Sequence, residues 1–208
     1  MIGMSLVWFV TGGFMIIVAV LAGWALATAG GPWWLAPVLA IPIGPTTAAL
    51  AVVARRCAAD LGVSRDHYFA GLRAYWRPAL GLSAIGMLVL VLLLLNIMFY
   101  ATLSGFVQMM VAIWVYLFFF WLSVQLYAYS ILVRMEKPQI WGAVRTAAFA
   151  SWANPLFSFL LLVIAAALTG VSIATTILVF FMWPALMALL GEHSFRLFLE
   201  RAGVKEEE

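Results

Sequence analysis

The side chains best equipped for chemistry are few: two histidines, His67 and His193, one cysteine, Cys57, and eight carboxylates, of which Glu192 adjoins His193. A zinc-type centre needs three or four converging ligands. Glu192 and His193 would have to meet His67 from distant parts of the chain, and ordinary polar contacts are the expected role of all three. No Cys-x-x-Cys, nucleophile elbow or glycine-rich phosphate loop is present. Cys57 has no partner in the chain, so an internal disulfide is excluded. The expectation is a non-enzymatic chain with no metal and no cofactor.

A second set of residues offers a path rather than a reaction. In Ile41-Pro42-Ile43-Gly44-Pro45-Thr46-Thr47-Ala48, two prolines remove helix hydrogen bonds and Gly44 loosens the backbone. Carbonyls freed in this way within a membrane must find partners in the protein or in a wet cavity. Thr46 and Thr47 carry the hydroxyls to serve them. Broken helices of this kind build transporter sites; they also act as kinks that let neighbouring helices pack, which is the favoured reading. Asn96, Gln125 and Tyr129, with Gln108 and Tyr127, either hydrogen-bond between helices or line a path for a small uncharged solute.

These residues need elements to hold them, and composition dictates which. The chain has 208 residues, 67% hydrophobic and 9% charged. A soluble domain carries about 25% charged residues, so this chain cannot cover a water-facing surface. A helix crosses roughly 30 Å of hydrocarbon with about 20 apolar residues. Spans are expected near Leu6–Ala27, Trp34–Ala54, Ala79–Ala101, Phe106–Val133, Leu156–Gly170 and Ala174–Leu190. The last two are separated only by Thr169-Gly170-Val171-Ser172; one bent segment is the alternative. Leu6–Ala27 is too long for a signal-peptide core and has no basic residue before it.

Charge placement sets the expected topology. All eleven Lys and Arg fall in three segments. Arg55, Arg56, Arg65, Arg73 and Arg77 lie between spans two and three, and Arg134, Lys137 and Arg145 between four and five. Arg196, Arg201 and Lys205 follow span six. Basic residues in short loops stay cytoplasmic, and six spans place all three segments on one face. The fold class expected is an all-α membrane protein of three hairpins, both termini inside, forming a single domain over 1–208. The net charge of +3 is thereby read as topology, and no nucleic-acid partner is expected.

Two charged segments have helical periodicity. Over 64–77, Ser64 is a candidate N-cap, and Tyr68, Phe69, Leu72, Tyr75 and Trp76 share one side, opposite Asp66, Arg73 and Arg77; Pro78 is expected to close the helix. Over 138–153, Pro138 suits a first helical position, Ile140, Trp141, Val144, Ala148 and Trp152 form an apolar side, and Asn154-Pro155 ends it. Each helix either lies in the membrane interface or packs on the bundle. Arg55, Arg56, Arg73, Arg77, Arg134 and Arg145 are the candidate contacts to a partner or to anionic lipid. The alternation of hairpins with these helices, and the echo of Ala70-Gly71-Leu72-Arg73 in Gly142-Ala143-Val144-Arg145, allow a tandem arrangement; chance similarity of apolar segments is the simpler account.

Three stretches together resemble the YesL-like bacterial membrane proteins: Gly44-Pro45-Thr46-Thr47-Ala48-Ala49-Leu50, the basic close Val52-Val53-Ala54-Arg55-Arg56, and Tyr68-Phe69-Ala70-Gly71-Leu72-Arg73 with Trp76-Arg77. Tyr127-Ala128-Tyr129, Arg134 and Phe195-Arg196 extend the resemblance over most of the chain. It departs at Thr46, where the family pattern has a small alanine, and at Leu72, where an aromatic is common. The resemblance implies a bacterial inner-membrane protein associated with carbohydrate uptake, an accessory subunit alongside ABC-type permease or ATPase chains. It assigns no catalytic residue. The alternative function is a stand-alone permease or channel; an enzyme acting on lipid or glycan ranks last, since the spans lack paired ionisable groups.

Overall fold

Helices follow the apolar runs, and local caps set their ends. The computed structural model describes residues 6–59, 61–175 and 183–201, and every regular element among them is helical. Helix α1, Leu6–Thr28, contains one π-helical turn at Phe9–Gly13 and stops before Gly30, whose φ of +69° suits only glycine without strain. A 3-10 segment, Trp33–Ala40, meets α2, Ile43–Ala58, at a bend of 46°. Pro42 is the N-cap of α2 and Pro45 falls in its first turn. Backbone N–H groups there have no intrahelical acceptor, so proline loses nothing. The expected second span is therefore two half-helices with a break between them.

Helix α3, Arg65–Ala101, begins as its sequence dictates. The Asp66 N–H donates to Ser64 Oγ at 3.1 Å, and the Ser64 N–H donates to His67 Nδ1 at 3.1 Å. Pro78 does not close it: the helix runs for 37 residues through the proline, about 55 Å at 1.5 Å per residue. Tyr75 and Ala79 pack inward on either side of Pro78, and membrane helices tolerate the lost hydrogen bond when neighbours hold them. The amphipathic segment and the third span are thus one rod. Helix α4 is Met110–Leu132, α5 Ile140–Ala153, α6 Pro155–Thr175 and α7 Trp183–Arg201.

Helix α6 also passes through the expected turn at 169–172. One glycine costs a helix about 1 kcal/mol, and the Thr169 hydroxyl is satisfied within the helix by Ala165 O at 2.7 Å. The expected span at 174–190 lies partly outside the described residues. Among those described, three helices are long and apolar enough to cross a membrane: Leu6–Thr28, Arg65–Ala101 and Gly105–Leu132. The bent pairs Trp33–Ala40 with Ile43–Ala58, and Ile140–Ala153 with Pro155–Thr169, raise the number to five.

The core sits where α2, α3, α4, α5 and α7 meet. Alanines supply six of its fifteen buried residues, Ala48, Ala51, Ala79, Ala128, Ala143 and Ala147. Small side chains let backbones approach, which is how helices associate where lipid removes the hydrophobic drive. Gly44 shows the limit: a Cβ there would meet Ala79 O and Ser83 Cβ at 2.5 Å. Helix α5 doubles back along α4. Gly142 lies against Met135 at one end, and the Phe120 and Trp152 rings meet edge-on at 6.3 Å at the other. Its buried stripe is Ala143, Val144, Ala147, Ala150 and Ser151. Of the side expected to be apolar, Ile140 and Val144 do pack inward, while Trp141 and Trp152 turn outward. Large rings would hold the two backbones apart, so alanines take the contact.

Candidate functional site

The break between the half-helices is the first place to look for a site. Its hydroxyls are already engaged. Thr46 Oγ1 donates to Ile43 O at 2.8 Å and Thr47 Oγ1 to the same carbonyl at 2.9 Å. Trp8 Nε1 donates to Thr47 Oγ1 at 3.4 Å, and Gly12 packs against Thr46. The Thr11 and Tyr68 hydroxyls lie 2.7 Å apart, joining the π-helical turn to α3. Single π-helical turns of this kind are frequent at functional sites; here the turn holds α1 against α2 and α3.

The remaining path candidates separate. Ser83 of α3 lies against Gly44 and interacts with the Tyr129 side chain, so α2, α3 and α4 meet at one point. One turn further, Gly86 abuts Gln125, and Trp121 Nε1 donates to Gly86 O at 3.1 Å. Gln125 Nε2 is buried without a hydrogen-bond partner. Gly44, Tyr129 and Gln125 thus form one seam. Thr46 and Thr47 face α1 instead, where Gly12 and Trp8 meet them. Asn96 lies about 20 Å along α3 from Ser83, its Nδ2 donating to Leu92 O at 2.7 Å in its own helix.

The charged residues form the second candidate. Arg134, just past α4, pairs through Nη2 with Oε1 of Glu192 in α7. Its guanidinium carbon lies 5.1 Å from the centroid of Phe195. Arg55 Nη1 and the Tyr75 hydroxyl both donate to Val133 O, at 3.4 and 3.2 Å. Arg196 Nη1 donates to Ala58 O. Four segments are tied together here. Burial lowers the Arg134 pKa from its ordinary value; Glu192 opposes that shift, while the charges of Arg55 and Arg196 add to it. Glu192 is fully buried, and its Oε2 has no hydrogen-bond partner.

Of the six candidate contact arginines, Arg134 points inward to this pair and Arg55 reaches back to Val133. Arg56 Nε donates to Gly62 O at 3.4 Å. Arg73, Arg77 and Arg145 are exposed, with Arg77 5.5 Å from the Trp76 ring and Arg145 5.7 Å from the Phe149 ring. On α3, Tyr68, Leu72 and Tyr75 face the bundle, but Phe69 and Trp76 join Arg73 and Arg77 outside. Among the described residues no three His, Cys, Asp or Glu side chains converge on a metal position. His67 serves the cap of α3, His193 is exposed, and Glu192 meets Arg134. The Arg134–Glu192 pair was not foreseeable by spacing. Its one signal is a carboxylate one residue beyond the apolar run Ala185–Leu190, after Gly191. Comparison of the chain with protein-family models, with curated proteins and with solved structures finds no match.

Proposed function

We propose that the chain is a non-enzymatic, six-span protein of the bacterial inner membrane, both termini cytoplasmic, that serves as an accessory partner of an ABC-type carbohydrate uptake system. The partner docks on the outer face of the arginine-bearing half of α3. The observation that carries this reading is that face itself: Arg65, Phe69, Arg73, Trp76 and Arg77 exposed on a helix about 25 Å longer than the hydrocarbon it must cross. Tyr68 and Gly71 fix the opposite side to α2 and α1. Tryptophan and arginine dominate the energetics of protein contacts, and a rigid helix loses little entropy on docking. The carbohydrate assignment comes from the YesL-like resemblance of residues 44–56 and 68–77. ATP hydrolysis belongs to the partner chain in this reading.

The test is a mild-detergent pull-down of the tagged chain from native membranes, with mass spectrometry of what accompanies it. Permease or ATPase subunits in stoichiometric amount, lost on Trp76→Ala with Arg77→Gln, is the expected result. A partner-free wild-type protein would sink the proposal. One observation favours a second reading, a passive conduit along the α3–α4 seam: the buried, unpartnered Gln125 Nε2. Flux of an uncharged sugar into proteoliposomes holding the pure protein, lowered by Gln125→Leu, would establish it.

A further inference from the structure

Helix α5 turns its two sides to different surroundings. Ala143, Ala147 and Ala150 are buried against the bundle, whereas Trp141, Phe149 and Trp152 are 77%, 61% and 69% exposed. Arg145 shares the outward stripe, four residues from both Trp141 and Phe149, and one helical turn places such residues side by side. Among the described residues no carboxylate pairs with it; the ion pair found is Arg134 with Glu192. Because α5 doubles back on α4, an open groove of about 460 Å³ lies between the two, lined by Phe120, Trp141, Arg145, Ala148, Phe149 and Trp152. That volume falls within the range of about 300–1,000 Å³ typical of small-molecule sites. Its walls are hydrocarbon and aromatic, and Arg145 is the one charged side chain on them.

We infer that this groove binds one anionic phospholipid, its phosphate on the Arg145 guanidinium and an acyl chain laid along Phe120 and Trp152. The chemistry of the walls selects the occupant. An incoming non-helical segment would bring unpaired backbone N–H and C=O groups, and the groove has no acceptor side chain and only the Arg145 guanidinium and two indole N–H groups as donors; buried unpaired, each backbone group costs free energy. A phospholipid brings one anion and otherwise only hydrocarbon. Guanidinium forks fit phosphate oxygens bidentately, and the rings flanking Arg145 suit the boundary between headgroup and acyl chain. This site is independent of the docking face on α3.

Native mass spectrometry of the full-length chain from equimolar phosphatidylglycerol and phosphatidylcholine micelles tests it. Wild type is expected to retain one phosphatidylglycerol in preference to phosphatidylcholine. Arg145→Gln should lower that retention about fivefold, the factor expected from roughly 1 kcal/mol per cation at an anionic surface. Arg145→Lys should keep most of it, and Arg73→Gln, outside the groove, should change nothing. Phe120→Ala should weaken retention of both lipids. Equal retention of the two lipids by wild type overturns the proposal, as does wild-type retention by Arg145→Gln or an equal loss in Arg73→Gln. A protein partner lost on Arg145→Gln with lipid retention unaltered would also overturn it, by giving the groove to a protein ligand.

Discussion

Arg134 and Arg145 come from the same charged segment and meet opposite surroundings. Arg134 is folded inward at the end of α4, where Glu192 of α7 neutralises it and Phe195 covers it. Arg145 stands on the outer stripe of α5 among aromatic rings. Nothing in the local sequence separates them, since each follows an apolar stretch. The difference lies in what other helices bring. Where a distant carboxylate arrives, a guanidinium ties the bundle together; where none arrives among the described residues, it stays on the outer surface.

Breaking the inward pair should have the largest effect. Glu192→Ala leaves the Arg134 guanidinium, with its side chain only 11% exposed, without its carboxylate. Removing one partner of a buried pair costs about 3–5 kcal/mol, read as a marked fall in the thermal unfolding midpoint in detergent. A midpoint unchanged from wild type would mean that the pair does not hold α7 to α4. Next comes Gly44→Ala, which drives a methyl group into Ala79 O and Ser83. Overpacking of this kind costs about 1–3 kcal/mol, visible in the same melt. The locally determined regions should respond less. Ser64→Ala removes the cap of α3 and should cost about 1 kcal/mol, measured as faster amide hydrogen exchange confined to the first turn of that helix. Smallest of all, Arg145→Gln should shift stability by no more than about 0.5 kcal/mol, with its effect confined to lipid retention. Equal melting losses for Glu192→Ala and Arg145→Gln would erase the contrast between the two arginines.

Much of the frame was legible in residue order because its causes are local. The Ser64 cap depends on hydrogen bonds spanning three residues, and Asn154-Pro155 ends α5 as its backbone requires. The break after Ile41 follows from two prolines and places Pro42 at the N-cap of α2. Local rules failed where packing outweighed them. By local rules Pro78 terminates a helix, yet α3 continues because both flanking turns are held by neighbours. Hydrophobicity alone points the Trp141 and Trp152 side of α5 inward, but contact between backbones rewards small size, and the alanines take it. Of the expected path residues, Gly44, Gln125 and Tyr129 share a seam, Thr46 and Thr47 are satisfied by Ile43 O, and Asn96 is remote.

The sequence by itself determined that this chain is too apolar for a water-facing fold and where three of its long apolar helices run. Both follow from hydrophobicity summed over about 20 residues, a quantity that needs no neighbour. Only the tertiary structure decided which polar groups are consumed and which are left outward. Whether an arginine meets a carboxylate, or a tryptophan faces an alanine stripe or a groove, depends on helices far away in sequence. Such contacts leave no local period to read: Glu192 closes on Arg134, and α5 folds back on α4, only because small residues let those backbones come together.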